Sequence, residues 1–460
     1  MRLLLVLGIS CTRREPYHAP EDTGADTAAS LVTTAPEEPV SDVSWSVHET
    51  IGSIIVVEWE QPAEAAVSIS FGLPDEEPLR SPTRLREPGP QSELLLGVPY
   101  ATELSFQINS GDLPGEVFTA QTGPLPDTVP VPVLEAERGD RAAWGATDRW
   151  LLLGVSGSGE GWNTDGYWKL IVDREGRVVW AHQTPNGYRS FYVQPSWDGT
   201  EILWDENTFW TDFDEGQGSL VHRMTIDGTI LETIATPGLH HTFLGLAGGA
   251  LVWGGVDEEG HEVVRERSAD GTVREIWDCT EYWRAQGERQ GCDGNALFWN
   301  EDDDTLYFSS DNGNTVVEIA RGSGELLHVW GQLASAWPFS EGSSVWWKQH
   351  SPTRTPDGTL MVSTWATKNN HELRAREYVI DEDSEELREV WSCGEGSGIE
   401  APFAGEARRL SGGNTLLNYG GGGAVREYTT DCAVVWSLRW TDRNTIARAS
   451  FVEDLYALAR

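Results

Sequence analysis

The chain has 460 residues, 39% apolar and 10% aromatic, enough for substantial cores and too many for one small domain. Its 73 Asp and Glu against 33 Lys and Arg leave a formal charge of −40. Phosphate backbones and anionic membrane surfaces would repel such a chain, which excludes nucleic-acid binding as a function class.

Residues 1–11 read as an export signal. Met1-Arg2 is a short basic start, and residues 3–9 form an apolar run too short to span a bilayer. Ser10-Cys11 resembles the bacterial lipoprotein processing site, which implies lipidation of Cys11. The Leu usual three residues before that Cys is Gly8 here, with Leu7 one place early, so an ordinary signal peptide is the alternative. Either way the expectation is an exported protein, periplasmic or on the cell surface, touching membrane only through a lipid on Cys11. Residues 12–42, rich in Pro, Thr, Ala and acid, read as a disordered tether.

Residues 43–123 change character. Short apolar or alternating runs at 54–59, 66–72, 94–98, 104–109 and 117–120 predict a small β-sandwich. Their order, including Gly97-Val-Pro-Tyr-Ala-Thr-Glu-Leu-Ser-Phe106, resembles a fibronectin type III domain. The Pro-rich stretch from Thr122 reads as a stiff linker.

From residue 132 to 460 the sequence repeats. A strand, a polar turn and a strand ending near Trp recur at 167–180, 221–231, 263–277, 316–330, 375–391 and 424–436. Between copies lies a turn and an apolar strand, as in Asp198-Gly-Thr-Glu-Ile-Leu-Trp and Asp357-Gly-Thr-Leu-Met-Val. Trp277, Trp330, Trp391 and Trp436 recur at intervals of 45 to 61 residues, the period of a propeller blade. The fold class is therefore all-β, an N-terminal β-sandwich followed by a six-bladed β-propeller, with residues 144–153 and the C-terminal strand completing the ring. The excess of Trp (22, against 12 Phe and 11 Tyr) suits closing blades. Trp346-Trp347 is a candidate for stacking on a sugar.

Four cysteines follow Cys11, and an even number in an exported chain suggests disulfides. Of the three pairings, Cys279–Cys292 closes a short loop, and Cys393–Cys432 joins equivalent edges of successive repeats. No Cys or His spacing suggests zinc, and no metal is expected.

Propeller strand ends converge on an axial channel. His241 and His350 each lie nine residues before equivalent positions, Ala250 and Thr359. The same offset gives Phe191 and Glu406. In the third repeat an extra residue leaves Asp293 or Asn295 at that place. Two His with nearby carboxylates in one ring make a candidate active site.

Several phrases across 144–460 resemble the bacterial arylsulfate sulfotransferases. They are Gly238-Leu-His-His-Thr, Asn295-Ala-Leu, Asp304-Thr-Leu-Tyr-Phe-Ser-Ser-Asp, Gln349-His-Ser-Pro-Thr-Arg, Gly405-Glu-Ala-Arg-Arg-Leu and Arg448-Ala-Ser-Phe-Val-Glu-Asp. The resemblance implies an exported six-bladed enzyme that moves a sulfuryl group from a phenolic sulfate to a phenol. It implies no nucleotide donor, no cofactor, and a His that is transiently sulfated. His350 matches that His, His241 a second channel His with His240 as the alternative, and Asn295 a channel Asn. Two positions depart from the pattern: Asp293 stands where the family has His, and Asp311 where it has Arg. Arg354 or Lys348 would then have to supply the lost positive charge; Arg354 is the substrate-binding candidate.

Three functions follow from these residues: an exported sulfuryl transferase acting on an aryl sulfate and a phenol; a non-catalytic, lipid-tethered propeller that binds a ligand or protein; and a hydrolase with Asp293 as base.

Overall fold

The computed structural model describes residues 39–460 apart from 112, 136–142, 145–148, 158–165, 186–188, 191, 210–215, 289–290, 443 and 460. The expected export signal, Cys11, nearly all of the expected tether and Phe191 lie outside the described residues.

Alternation builds the first two sheets. Ile55–Gln61 reads IVVEWEQ and buries Ile55, Val57 and Trp59 while Glu58 faces water. It pairs antiparallel with Ser41–Val47 and Gly89–Leu95. A second sheet runs Leu79–Arg80, Ala65–Gly72, Glu103–Ser110, Leu113–Gln121. Its Val67, Ile69, Phe71, Phe106 and Ile108 join Ile55, Val57 and Trp59 in one core. The first strand begins at Ser41, inside the stretch expected as tether.

That core continues beyond the two sheets. Trp150, Leu455, Tyr456 and Leu458 belong to it, and the Tyr456 hydroxyl donates to Leu94 O at 2.8 Å. Gly97 makes the junction close. Its φ is +88°, and a Cβ there would come within 2.7 Å of the Trp150 ring.

From Trp150 onward the chain is all-β, in successive antiparallel sheets of the β-propeller kind. The first holds Trp150–Ser156, Tyr167–Val172 and Val178–Gln183, with the C-terminal Ile446–Val452 as its inner strand. The second runs Val193–Pro195, Ile202–Glu206, Leu220–Met224, Ile230–Ala235, and the third Leu239–Gly245, Leu251–Val256, Glu262–Arg267, Val273–Asp278. The fourth runs Gly294–Asn300, Thr305–Ser310, Thr315–Ala320, Leu326–Gly331. The fifth runs His350–Arg354, Leu360–Thr367, Asn370–Asp381, Glu386–Cys393. The sixth runs Glu406–Arg409, Thr415–Asn418, Ala424–Tyr428, Val434–Arg439, with Val133–Leu134 on its edge.

Polar turns of one kind join the outer strands. In the second sheet Thr225 N–H donates to Thr229 O at 3.0 Å. Asp227 Oδ1 accepts from Thr229 N–H at 2.9 Å, and Gly228 takes φ +88°. Trp346, a sugar-stacking candidate, is instead fully buried, its indole N–H donating to Asn314 O at 2.7 Å.

Both expected disulfides are present. Cys279–Cys292 links the short helix Cys279–Ala285 to the segment entering the fourth sheet, and Cys393–Cys432 links the fifth sheet to a turn of the sixth. Cys393–Cys432 encloses a sequence separation of 39 residues. Replacing both by Ala should lower unfolding free energy in guanidinium titrations by about 2–4 kcal/mol. An unchanged midpoint would show that this link adds nothing to the junction.

Candidate active site

Inner strands of neighbouring sheets lie side by side: Leu239–Gly245 against Gly294–Asn300, then His350–Arg354, then Glu406–Arg409. Three of them begin with a break in register, between Leu239 and Phe243, Gly294 and Ala296, and His350 and Thr353. A bulge inserts a residue, kinks the strand and re-aims a side chain. Here the breaks fall at His241, Asn295 and the His350-Ser351 step. His241, Asn295 and His350 line one cavity of about 240 Å³.

Asp293, Asp311 and Lys348 share that wall, with Tyr192, Trp365 and Phe403 as its aromatic part. Asp293, Lys348, Ser351 and Ala404, at or beside the cavity, take φ of 52°, 49°, 48° and 58°. Left-handed backbone at non-glycine residues costs about 1–2 kcal/mol each. It gathers where a site over-determines geometry.

His350 is buried, with Nδ1 3.0 Å from Ser351 Oγ. Burial lowers its pKa to about 4, against the opposing pull of Asp311 and Glu406. Its imidazole is therefore neutral at pH 7. Burial, with the neighbouring His240 and His350, also takes His241 well below the usual histidine range. Asn295 donates to Gln349 O at 2.8 Å, while its buried Oδ1 has no hydrogen-bond partner among the described residues. Asn295 thus presents an acceptor to the cavity. Gln349, beside His350, is clamped by Nε2 to Ser310 O at 2.8 Å and Thr315 O at 3.0 Å.

The acids differ in their partners. Asp311 forms an ion pair with Lys348. Among the described residues no hydrogen bond or ion pair holds the half-buried Asp293 carboxylate. Burial first, then the Asp311 charge, raises its pKa.

Other expected positions lie off the wall. His240 packs on Phe209 and against the His241 ring, off the cavity wall, with Nδ1 3.4 Å from Glu262 Oε1. Glu406 is buried, accepting from Arg408 at 2.7 Å and from Ala449 N–H at 3.1 Å. Arg354 does not line the cavity and lies against Tyr307. Four residues along a strand is about 13 Å, which carries its guanidinium away from His350. The cation on the wall is Lys348. Sequence reasoning missed Tyr192, Trp365, Phe403 and Glu262; Tyr192, Trp365 and Glu262 sit at or beside strand ends and Phe403 in the loop before Gly405, with no motif that marks them.

No family model and no curated protein sequence matches the chain. Among solved structures, it is similar to a Bacteroides caccae protein of unknown function at 18% identity and TM-score 0.47, covering 67% of this chain and 100% of that one. A putative 6-phosphogluconolactonase from Bacteroides fragilis follows at 15% identity and TM-score 0.40, covering 67% and 99%. A streptogramin B lyase structure gives 13% identity and TM-score 0.32, covering 65% and 100%. At these values none bears on the activity.

The buried rings make stability depend on pH. Unfolding returns His350 from about 4 to its ordinary 6.5. Between those values the unfolded chain binds more protons, so stability falls as pH drops from about 6.5 to 4 and the effect is absent above that window. His350→Gln should lose less Tm than the native chain across the same window. Parallel Tm curves would contradict a buried neutral ring.

Proposed function

We propose that the chain is an exported sulfuryl transferase whose six propeller sheets form a closed ring, with His350 as the group that carries the sulfuryl between two phenols. The supporting observation is the convergence of His241, Asn295 and neutral His350, each at a bulged strand start, on one aromatic-walled cavity. Export accords with the two disulfides, and a lipid on Cys11 would tether the protein to a membrane.

In the first step an imidazole nitrogen of His350 attacks sulfur. The N–S bond forms as the S–O bond to the phenol breaks, and the phenolate leaves. Lys348 and His241 face the sulfuryl oxygens, and Tyr192, Trp365 and Phe403 hold the aryl ring. In the second step a new phenol, its hydroxyl hydrogen-bonded to Asn295 Oδ1, attacks the sulfur; the O–S bond forms as the N–S bond breaks, His350 is restored, and the phenol's proton leaves to solvent, from which the released phenolate takes one up. No nucleotide takes part.

A second reading has one observation in its favour. Asp293 and Asp311 line the same cavity with Lys348 as the cation on its wall, which favours binding a cationic or neutral ligand without chemistry.

The test is transfer from 4-nitrophenyl sulfate to phenol. His350→Ala should abolish it, and His241→Ala should slow it by ~10²–10³, the scale of one transition-state donor. Because His350 titrates at about 4, kcat should hold down to near that pH rather than fall at 6.5. Native-like transfer by His350→Ala would remove the mechanism, and no transfer by the native chain would leave the binding reading.

A further inference from the structure

We propose that His240, His241 and Asp293 form a site for one divalent transition-metal ion of the zinc class. One ligand atom from each lies within 4.8 Å of the others. The two Nδ1 atoms are 3.1 Å apart. Two ligands about 2.0–2.1 Å from one ion, at angles between octahedral and tetrahedral, are themselves about 3.0–3.4 Å apart. Without an ion, one Nδ1–H···Nδ1 hydrogen bond holds this pair.

The third ligand is the carboxylate that lacks a fixed partner among the described residues. Asp293 is held at φ 52° at the cavity wall. Lys348 is committed to Asp311, so a cation is the missing counter-charge. Glu262 adds a second negative group: its Oε1 lies 3.4 Å from His240 Nδ1 and accepts the Gly294 N–H. A Cβ on Gly294 would come within 2.6 Å of that oxygen, so the glycine leaves room for the carboxylate. Two imidazoles and one carboxylate suit zinc and its neighbours. Three protein ligands leave a position open, and His241 and Asp293 turn it toward the cavity.

The ion would restore, as a Lewis acid, the positive charge that Asp293 and Asp311 remove. That use rests on the sulfuryl-transfer reading; the binding itself does not.

The experiment uses the full chain, stripped with chelator and titrated with Co²⁺ read by its visible absorption, and with Zn²⁺ read by calorimetry. One equivalent should bind, with cobalt bands of a low-symmetry nitrogen and oxygen site. Asp293→Asn and His241→Ala should each weaken zinc by at least ~10²-fold, while His48→Ala, in the N-terminal sheets, leaves it unchanged. Should His241→Ala fail to fold, Asp293→Asn, which removes only charge, carries the same test. Zinc affinity unaltered by Asp293→Asn, or no stoichiometric binding, overturns the site. Transfer is assayed separately, so its absence counts against the transfer reading alone.

Discussion

Tryptophans on outer strands hold neighbouring sheets together, and the site depends on the angle they fix. Trp180 in the first sheet donates to Ile226 O in the second at 2.6 Å. Trp391 in the fifth donates to Thr430 O in the sixth at 2.7 Å. Trp436 in the sixth donates to Arg174 O back in the first at 2.7 Å. Each link needs a large apolar body and one donor at its edge, which Trp combines and Phe lacks. The last link is reinforced by the Arg174 guanidinium, 4.9 Å from the Trp436 ring centre and ion-paired with Glu427. The first sheet also joins segments far apart in the chain, since Leu152 pairs with Ser450. That pairing brings Thr445 and Ala447 to the cavity wall opposite strands from mid-chain.

Charge inside this frame is mostly compensated locally. Glu406 is satisfied by Arg408 and the Ala449 amide, and Asp311 by Lys348. The histidines avoid the cost of a buried charge by staying neutral. A neutral imidazole keeps a lone pair, so the burial that opposes protonation leaves His350 with one even below the ordinary histidine range, as the proposed transfer would require. Strained backbone at Asp293, Lys348 and Ser351 lies where these groups are aimed rather than where the sheets are packed.

Much of the all-β architecture was legible because its signals are local. The strand alternation of residues 55–61, the Asp-Gly turns and the recurring Trp each depend on a few adjacent residues. Cys279–Cys292 followed from its short loop and Cys393–Cys432 from repeat position. The His offset worked for the same reason: equivalent strand starts lie a fixed number of residues before equivalent turns. What failed was direction. Counting placed Arg354 near His350 but could not show that four strand residues carry it to Tyr307. It could not choose between His240 and His241, because a bulge at that step decides which ring faces the cavity. Spacing also gave no sign of a metal: His240 and His241 are adjacent, while Asp293 arrives from another sheet.

The two departures from the sulfotransferase pattern are unequal in physical effect. Asp311 faces Lys348, so exchanging Arg for Asp there removes a cation but adds no net anion to the wall. Among the described residues Asp293 has no such partner, and its raised pKa records both burial and the carboxylate beside it. An aryl sulfate entering the cavity would therefore meet one uncompensated negative charge, and its location beside His240 and His241 fixes where compensation must come from. A proton on Asp293, which burial and Asp311 favour, would remove the repulsion and supply a donor. A divalent ion would overcompensate the single charge without needing that proton, and burial keeps the His241 ring neutral and free to bind it. The same low dielectric that disfavours an imidazolium at this wall favours a cation with three fixed ligands.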